Sequence, residues 1–158
     1  MKKWFLFILP LVAIMLSALA WWWIQPSPQV KTSILPLANN CQLHTGDCFI
    51  EHNGMSVRLS ISPQPIPIAK ALTITADIQG VVPTQMQLDI NGSNMYMGYN
   101  RVSLTPTSAT QWTGKSILSF CTIDEMQWQL TLLIDLADGQ QIQAPFPLVT
   151  PFKVKSTP

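Results

Sequence analysis

The residues best suited to chemistry in this chain carry sulfur. Met95 and Met97 alternate within Asn94-Met95-Tyr96-Met97-Gly98-Tyr99-Asn100-Arg101, Cys121 follows, and Met126 comes just past the Thr122–Glu125 turn. Thioether and thiolate ligands hold monovalent copper well and hard cations poorly. Residues two apart on a strand face the same way, about 6.5–7 Å apart along it. Met95 and Met97 are therefore expected to point together, with Cys121 brought beside them at the end of a Gln111–Phe120 strand. The cofactor this set implies is Cu(I). Packing is the competing account. A buried methionine contributes roughly 1.5–3 kcal/mol, and a lone cysteine is among the residues most often buried. Asn94, Gly98 and Asn100 surround the methionines with loop formers, which suits a rim, and a third cysteine beyond one disulfide pair invites an explanation. At the level of sequence both accounts stay open.

Other chemistry is poorly supplied. The two histidines, His44 and His52, lie far from Cys121 in the chain, so no base is placed beside that thiol. Asp124 and Glu125 are adjacent and would face opposite ways on a strand, which suits a surface turn rather than an acid/base pair. Asp89-Ile90-Asn91-Gly92 resembles the start of a calcium loop but has no bidentate acid at the required spacing. No phosphate-binding glycine loop or zinc cysteine spacing occurs. An enzyme is not expected.

Charge narrows the partners. The formal net charge is +1, and without Lys2 and Lys3 seven basic residues face eight acidic ones. Charged residues make up 11% of the chain against roughly 25% in typical soluble domains. No basic stripe exists, so nucleic acid is not an expected partner.

The elements that must position the sulfurs begin after an N-terminal segment. Lys2 and Lys3 precede Trp4–Ile24, a run of 21 residues without a charge. As a helix that run spans a hydrocarbon core of about 30 Å. The basic pair predicts a cytoplasmic N-terminus, and Trp21-Trp22-Trp23 falls at the far interface, where indole rings favour the headgroups. Ala18-Leu19-Ala20 offers a competing signal-peptide site. Cleavage there would leave three exposed tryptophans, which favours an uncleaved anchor. Both alternatives imply export.

In an exported chain the closely spaced Cys41 and Cys48 are expected to form a disulfide. Beyond them apolar residues recur with period two: Val57, Leu59 and Ile61; Leu72, Ile74, Ala76 and Ile78; Met86, Leu88 and Ile90; Trp128 through Leu136; Ile142 through Leu148. The prolines at 63, 65 and 67 remove three ladder donors and predict an edge or crossing segment. Asn91-Gly92 is the preferred dipeptide of a tight primed turn and predicts a hairpin into Ser93–Met97. Seven or so short strands without helical periodicity predict an all-β, immunoglobulin-like antiparallel β-sandwich behind one transmembrane helix, with a small barrel as the alternative fold. The resulting divisions are an anchor or signal peptide (residues 1–24), a Pro-containing tether (25–40), the sandwich (41–150) and a tail (151–158).

The single N-terminal anchor, the all-β exported domain, Met95-Tyr96-Met97-Gly98 and the Gln127-Trp128-Gln129-Leu130 strand together resemble small bacterial membrane-anchored proteins of the FixH/YtkA-like kind. The resemblance covers roughly Pro63 to Phe146. It implies an immunoglobulin-like periplasmic domain linked to copper handling or respiratory oxidase assembly, held in the inner membrane by a single pass. Partners would be a membrane oxidase or a copper chaperone. The relatives often carry methionine and glycine where this chain has Cys121-Thr122, and they lack the Cys41/Cys48 loop. The alternative function is a non-metal interaction module, docking to a membrane complex through an edge strand or the Tyr96/Tyr99 surface.

Overall fold

A computed structural model describes residues 2–24, 30–38, 40–119 and 125–151, with only the backbone described for residues 2–10 and 151. It divides into two compact units, Met1–Val30 and Lys31–Pro158. The first holds helix α1, Lys2–Trp23, whose 22 residues run about 33 Å. Its side chains from Leu11 to Ile24 are all exposed, and Trp23 reaches 89%. Among the described residues no helix is long and apolar enough to cross a membrane.

Among the described residues the second unit is built from nine strands: β1 (Lys31–Ile34), β2 (Cys48–His52), β3 (Met55–Ser62), β4 (Ala71–Gln79), β5 (Pro83–Gly92), β6 (Arg101–Pro106), β7 (Gln111–Ile117), β8 (Glu125–Leu136) and β9 (Gln140–Pro151). They form one sheet in the order β1-β9-β8-β5-β6-β7-β4-β3-β2, curled into a half-barrel. Every pairing is antiparallel except β1 beside β9. The expected all-β antiparallel domain is therefore present, but its strands are continuous rather than divided between two sheets. The reason is β6. Its first residues, from Arg101 to Leu104, pair with β5, and then Thr105 and Pro106 pair with Thr113 and Trp112 of β7. A strand that changes partner midway joins the two halves of the curl. Gly114 allows the crossing, because a side chain there would meet Leu104 Cδ2 at 2.5 Å and Val102 Cγ1 at 3.2 Å.

Both halves turn their apolar positions into one core. Val57, Leu59, Ile74, Ala76, Met86, Leu88, Leu130, Leu132, Ile134, Ala144 and Phe146 are all wholly buried. Each large aliphatic side chain taken out of water contributes about 1.5–3 kcal/mol, which fixes the register, since a one-residue slip would expose a whole face. Trp128 lies in this core, and its indole N–H donates to Thr150 Oγ1 at 2.8 Å. On the outer face, Arg58 forks onto Asp77 at 2.6 and 3.1 Å. That hydrogen bond and the adjacent charge raise the guanidinium pKa above its ordinary value.

Two elements lie where no strand was expected. β1 falls inside the stretch read as a tether, and β2 follows the second cysteine. Between them, residues 35–38 and 40–44 run along the outer edge of β9. Leu35 N–H donates to Gln143 O at 2.8 Å and Ala38 N–H to Pro145 O at 3.2 Å. Pro145 and Pro147 have no N–H to offer on that edge, so the segment meets a row of acceptors. His44 ends the row. Ile66 N–H donates to its Nδ1 at 3.1 Å, so Nε2 carries the proton and donates to Val149 O at 2.8 Å. Gln64 Nε2 donates to Leu43 O and Gly46 O, which holds the proline segment to the same loop. The Cys41–Cys48 disulfide is formed, with 5.1 Å between Cα atoms. The loop is thus a clasp, running from β9 to β2 at the opposite edge of the sheet.

Candidate functional site

The sulfur-bearing rim lies where β5 ends and β8 begins. β5 pairs with β8 as far as Gly92↔Trp128. The expected hairpin is absent, for β5 continues through Asn91-Gly92 and residues 93–100 form no strand. The Asn94 side chain replaces the backbone ladder. Gln127 N–H donates to Asn94 Oδ1 at 3.1 Å, and Asn94 Nδ2 donates to Glu125 O at 3.0 Å. Asparagine competes well with the backbone for such bonds and so ends the strand. Ser93 N–H adds a bond to Gln127 O at 2.8 Å. At the far end Ile90 N–H donates to Asn100 O at 2.8 Å, and Asn100 Nδ2 reaches Ile117 O at 3.4 Å. Between these anchors Gly98 sits at φ +78°, in the left-handed region that glycine enters without strain.

Because 93–100 is a loop, Met95 and Met97 do not share a strand face. Met95 is 38% exposed, whereas Met97 is half-buried against the core. Met126, on β8, is fully inside the core. The last two are brought together at Gly92. The position a Cβ would take there is occupied by Met126 Cε and by the carbonyl oxygen of Met95, with Met97 Cγ at 3.1 Å. Three methionines therefore touch one glycine, two through their side chains and one through its backbone. Cys121 lies outside the described residues.

Asp89, Asn91 and Arg101 at the rim engage one another. Asp89 accepts from Asn91 Nδ2 at 2.8 Å and pairs with Arg101 Nε at 3.4 Å, so the calcium-like Asp89–Gly92 stretch is part of a strand and an ion pair. The Arg101 guanidinium also lies 5.2 Å from the centre of the Tyr99 ring, within cation–π range. Tyr96 and Tyr99 are 87% and 77% exposed. Among the described residues no group of three or more His, Cys, Asp or Glu stands close enough to hold a metal.

Sequence reasoning did not find two structural residues. His44 fastens the clasp through both ring nitrogens, and no local signal marks it. Gly92 gives the methionines their meeting place, although its sequence context reads as a turn. No family model matches this chain, and no curated protein sequence matches it.

Proposed function

We propose that this protein is a membrane-tethered accessory domain of the bacterial periplasm that binds Cu(I) at the β5/β8 rim and serves copper handling or respiratory oxidase assembly. Met95, Met97 and Met126 supply thioethers, and Cys121 supplies the thiolate. One observation carries the reading: Met97 and Met126, 29 positions apart in sequence, meet over Gly92 beside the Met95 carbonyl. Flexible thioethers at a partly exposed rim suit a soft ion that must be both taken up and released. Tethering rests on the uncharged run Trp4–Ile24 behind Lys2 and Lys3. The two halves of the curl, joined at β6 around one core, serve as the layers of an immunoglobulin-like sandwich.

The test is an anaerobic Cu(I) titration of the full chain in nonionic detergent against a chromophoric chelator. One equivalent of tight copper is expected. The Met95→Leu, Met97→Leu, Cys121→Ser triple variant should lose it while keeping its fold. Equal copper uptake by the triple variant eliminates the site.

A further inference from the structure

The two ends of the sheet are finished differently. At one end β1 opens on Lys31, and a lysine on an edge strand discourages further pairing. At the other end β2 carries no proline, lysine or bulge. The turn Asn53-Gly54, with φ of 49° and 78°, fixes which backbone groups of β2 face outward. Positive φ at both central residues makes it a two-residue primed turn, so His52↔Met55 is a hydrogen-bonded pair. By alternation Ile50↔Val57 and Cys48↔Leu59 are hydrogen-bonded pairs too. Phe49 and Glu51 therefore turn their N–H and C=O groups away from β3. Among the described residues these four groups meet no partner, and the Glu51 carboxylate makes no ion pair. Both side chains lie on the outer face, where Phe49 is 57% exposed.

We propose that β2 pairs with β2 of a second copy of this chain, antiparallel about a two-fold axis through Ile50. In that register Phe49 stands opposite the second copy's Glu51, and symmetry repeats the pair. The open groups of the two strands then form four N–H···O bonds across the axis. The charges of β2 select this register. Moving the axis to Phe49 sets Glu51 against Asp47, and moving it to Glu51 sets that carboxylate against itself. Like charges directly opposite are destabilising. With the axis at Ile50, each carboxylate instead lies beside the second copy's Phe49, in the row of its Arg58, the cross-strand neighbour of Phe49. Two strand spacings put the Arg58 and Glu51 Cα atoms about 9.6 Å apart. The Arg58 side chain is 42% exposed, and its Nη1 has only a long contact to Asp47, at 3.6 Å, so it can reach across the ring. On the inner face Ile50 meets its own copy at the axis. The interface is the same patch on both chains, so pairing closes at two copies. It uses no residue of the rim and does not depend on copper.

The test is a dilution series of the full chain in nonionic detergent, read by analytical ultracentrifugation for mass and by NMR amide exchange for place. A dimer is expected, and its formation should slow exchange at Phe49 and Glu51 about tenfold or more. Ile50, whose groups already face β3, should change little. Glu51→Pro removes one outward N–H without touching the β3 ladder and should leave a monomer. Phe49→Lys and Glu51→Lys, which place a cation on the edge beside Arg58, should each raise the dissociation constant about tenfold or more. Far-UV circular dichroism checks that each variant is folded, and the two lysine variants decide the matter if the proline variant is not. A monomer at every concentration overturns the proposal. So does a dimer whose Phe49 and Glu51 amides exchange as fast as in the monomer, since the contact then lies elsewhere, α1 included. An unchanged dissociation constant in both lysine variants overturns it as well.

Discussion

The clasp of residues 35–48 and the rim of residues 93–100 are both loops fastened to the ends of strands, yet they are fastened differently. The clasp is closed by a covalent bond and by His44, and it sinks Leu35, Ala38, Leu43 and Cys48 into the core. The rim is held by two asparagine side chains and places Tyr96 and Tyr99 in solvent. The clasp fills the interior and joins two edges of the sheet. The rim spends little apolar surface on stability and presents it instead. Binding is expected where ordering comes from polar anchors and the apolar groups are left outside.

That contrast makes predictions that can be ranked by size. Replacing both Cys41 and Cys48 with Ser should cost about 2.5 kcal/mol, the loop-entropy value for a ring of this size, as measured by urea unfolding. Copper binding at the rim should survive in that variant below its transition. A parallel loss of rim binding would mean that the two regions are not separable. Gly92→Ala should cost about 1–3 kcal/mol, because the new methyl group meets the Met95 carbonyl and Met126 Cε, and a backbone group cannot swing aside. Its signature is a shift of the Tyr96 and Tyr99 ring resonances; an unperturbed rim spectrum would contradict the packing over Gly92. His44→Leu should cost about 1–2 kcal/mol by leaving Ile66 N–H and Val149 O without their partner, with amide exchange quickening at Ile66. Asn94→Ala should cost about 1 kcal/mol and free the rim loop, seen as faster exchange at Gln127. Tyr96→Ala should change stability by less than about 0.5 kcal/mol, and a larger loss would show that the rim is structural after all.

Period-two burial was readable because one face of each strand must be dry. Val57, Leu59 and Ile61 on β3 alternate with polar residues, and so do Leu72, Ile74, Ala76 and Ile78 on β4. β1 carried no such signal, since Lys31–Ile34 is exposed throughout and owes its strand to hydrogen bonds with β9. The strand expected at Ser93–Met97 failed for a comparable reason. Its alternating methionines suggested a strand, but the Asn94 carboxamide takes the ladder positions opposite Glu125 and Gln127. The Cys41–Cys48 bond was legible from spacing alone. Its role in closing the sheet was not, because that depends on where β9 and the 63–68 segment arrive.

The sequence alone determined an antiparallel β domain with a bridged cysteine pair after an N-terminal helix, since local alternation and spacing decide which face of each strand leaves water. Only the tertiary structure decided that the strands form one curled sheet, that β6 changes partner at Thr105, that His44 is a fastener, and that Met97 and Met126 meet at Gly92. Those outcomes depend on contacts between residues distant in the chain, and short-range pattern carries no record of them.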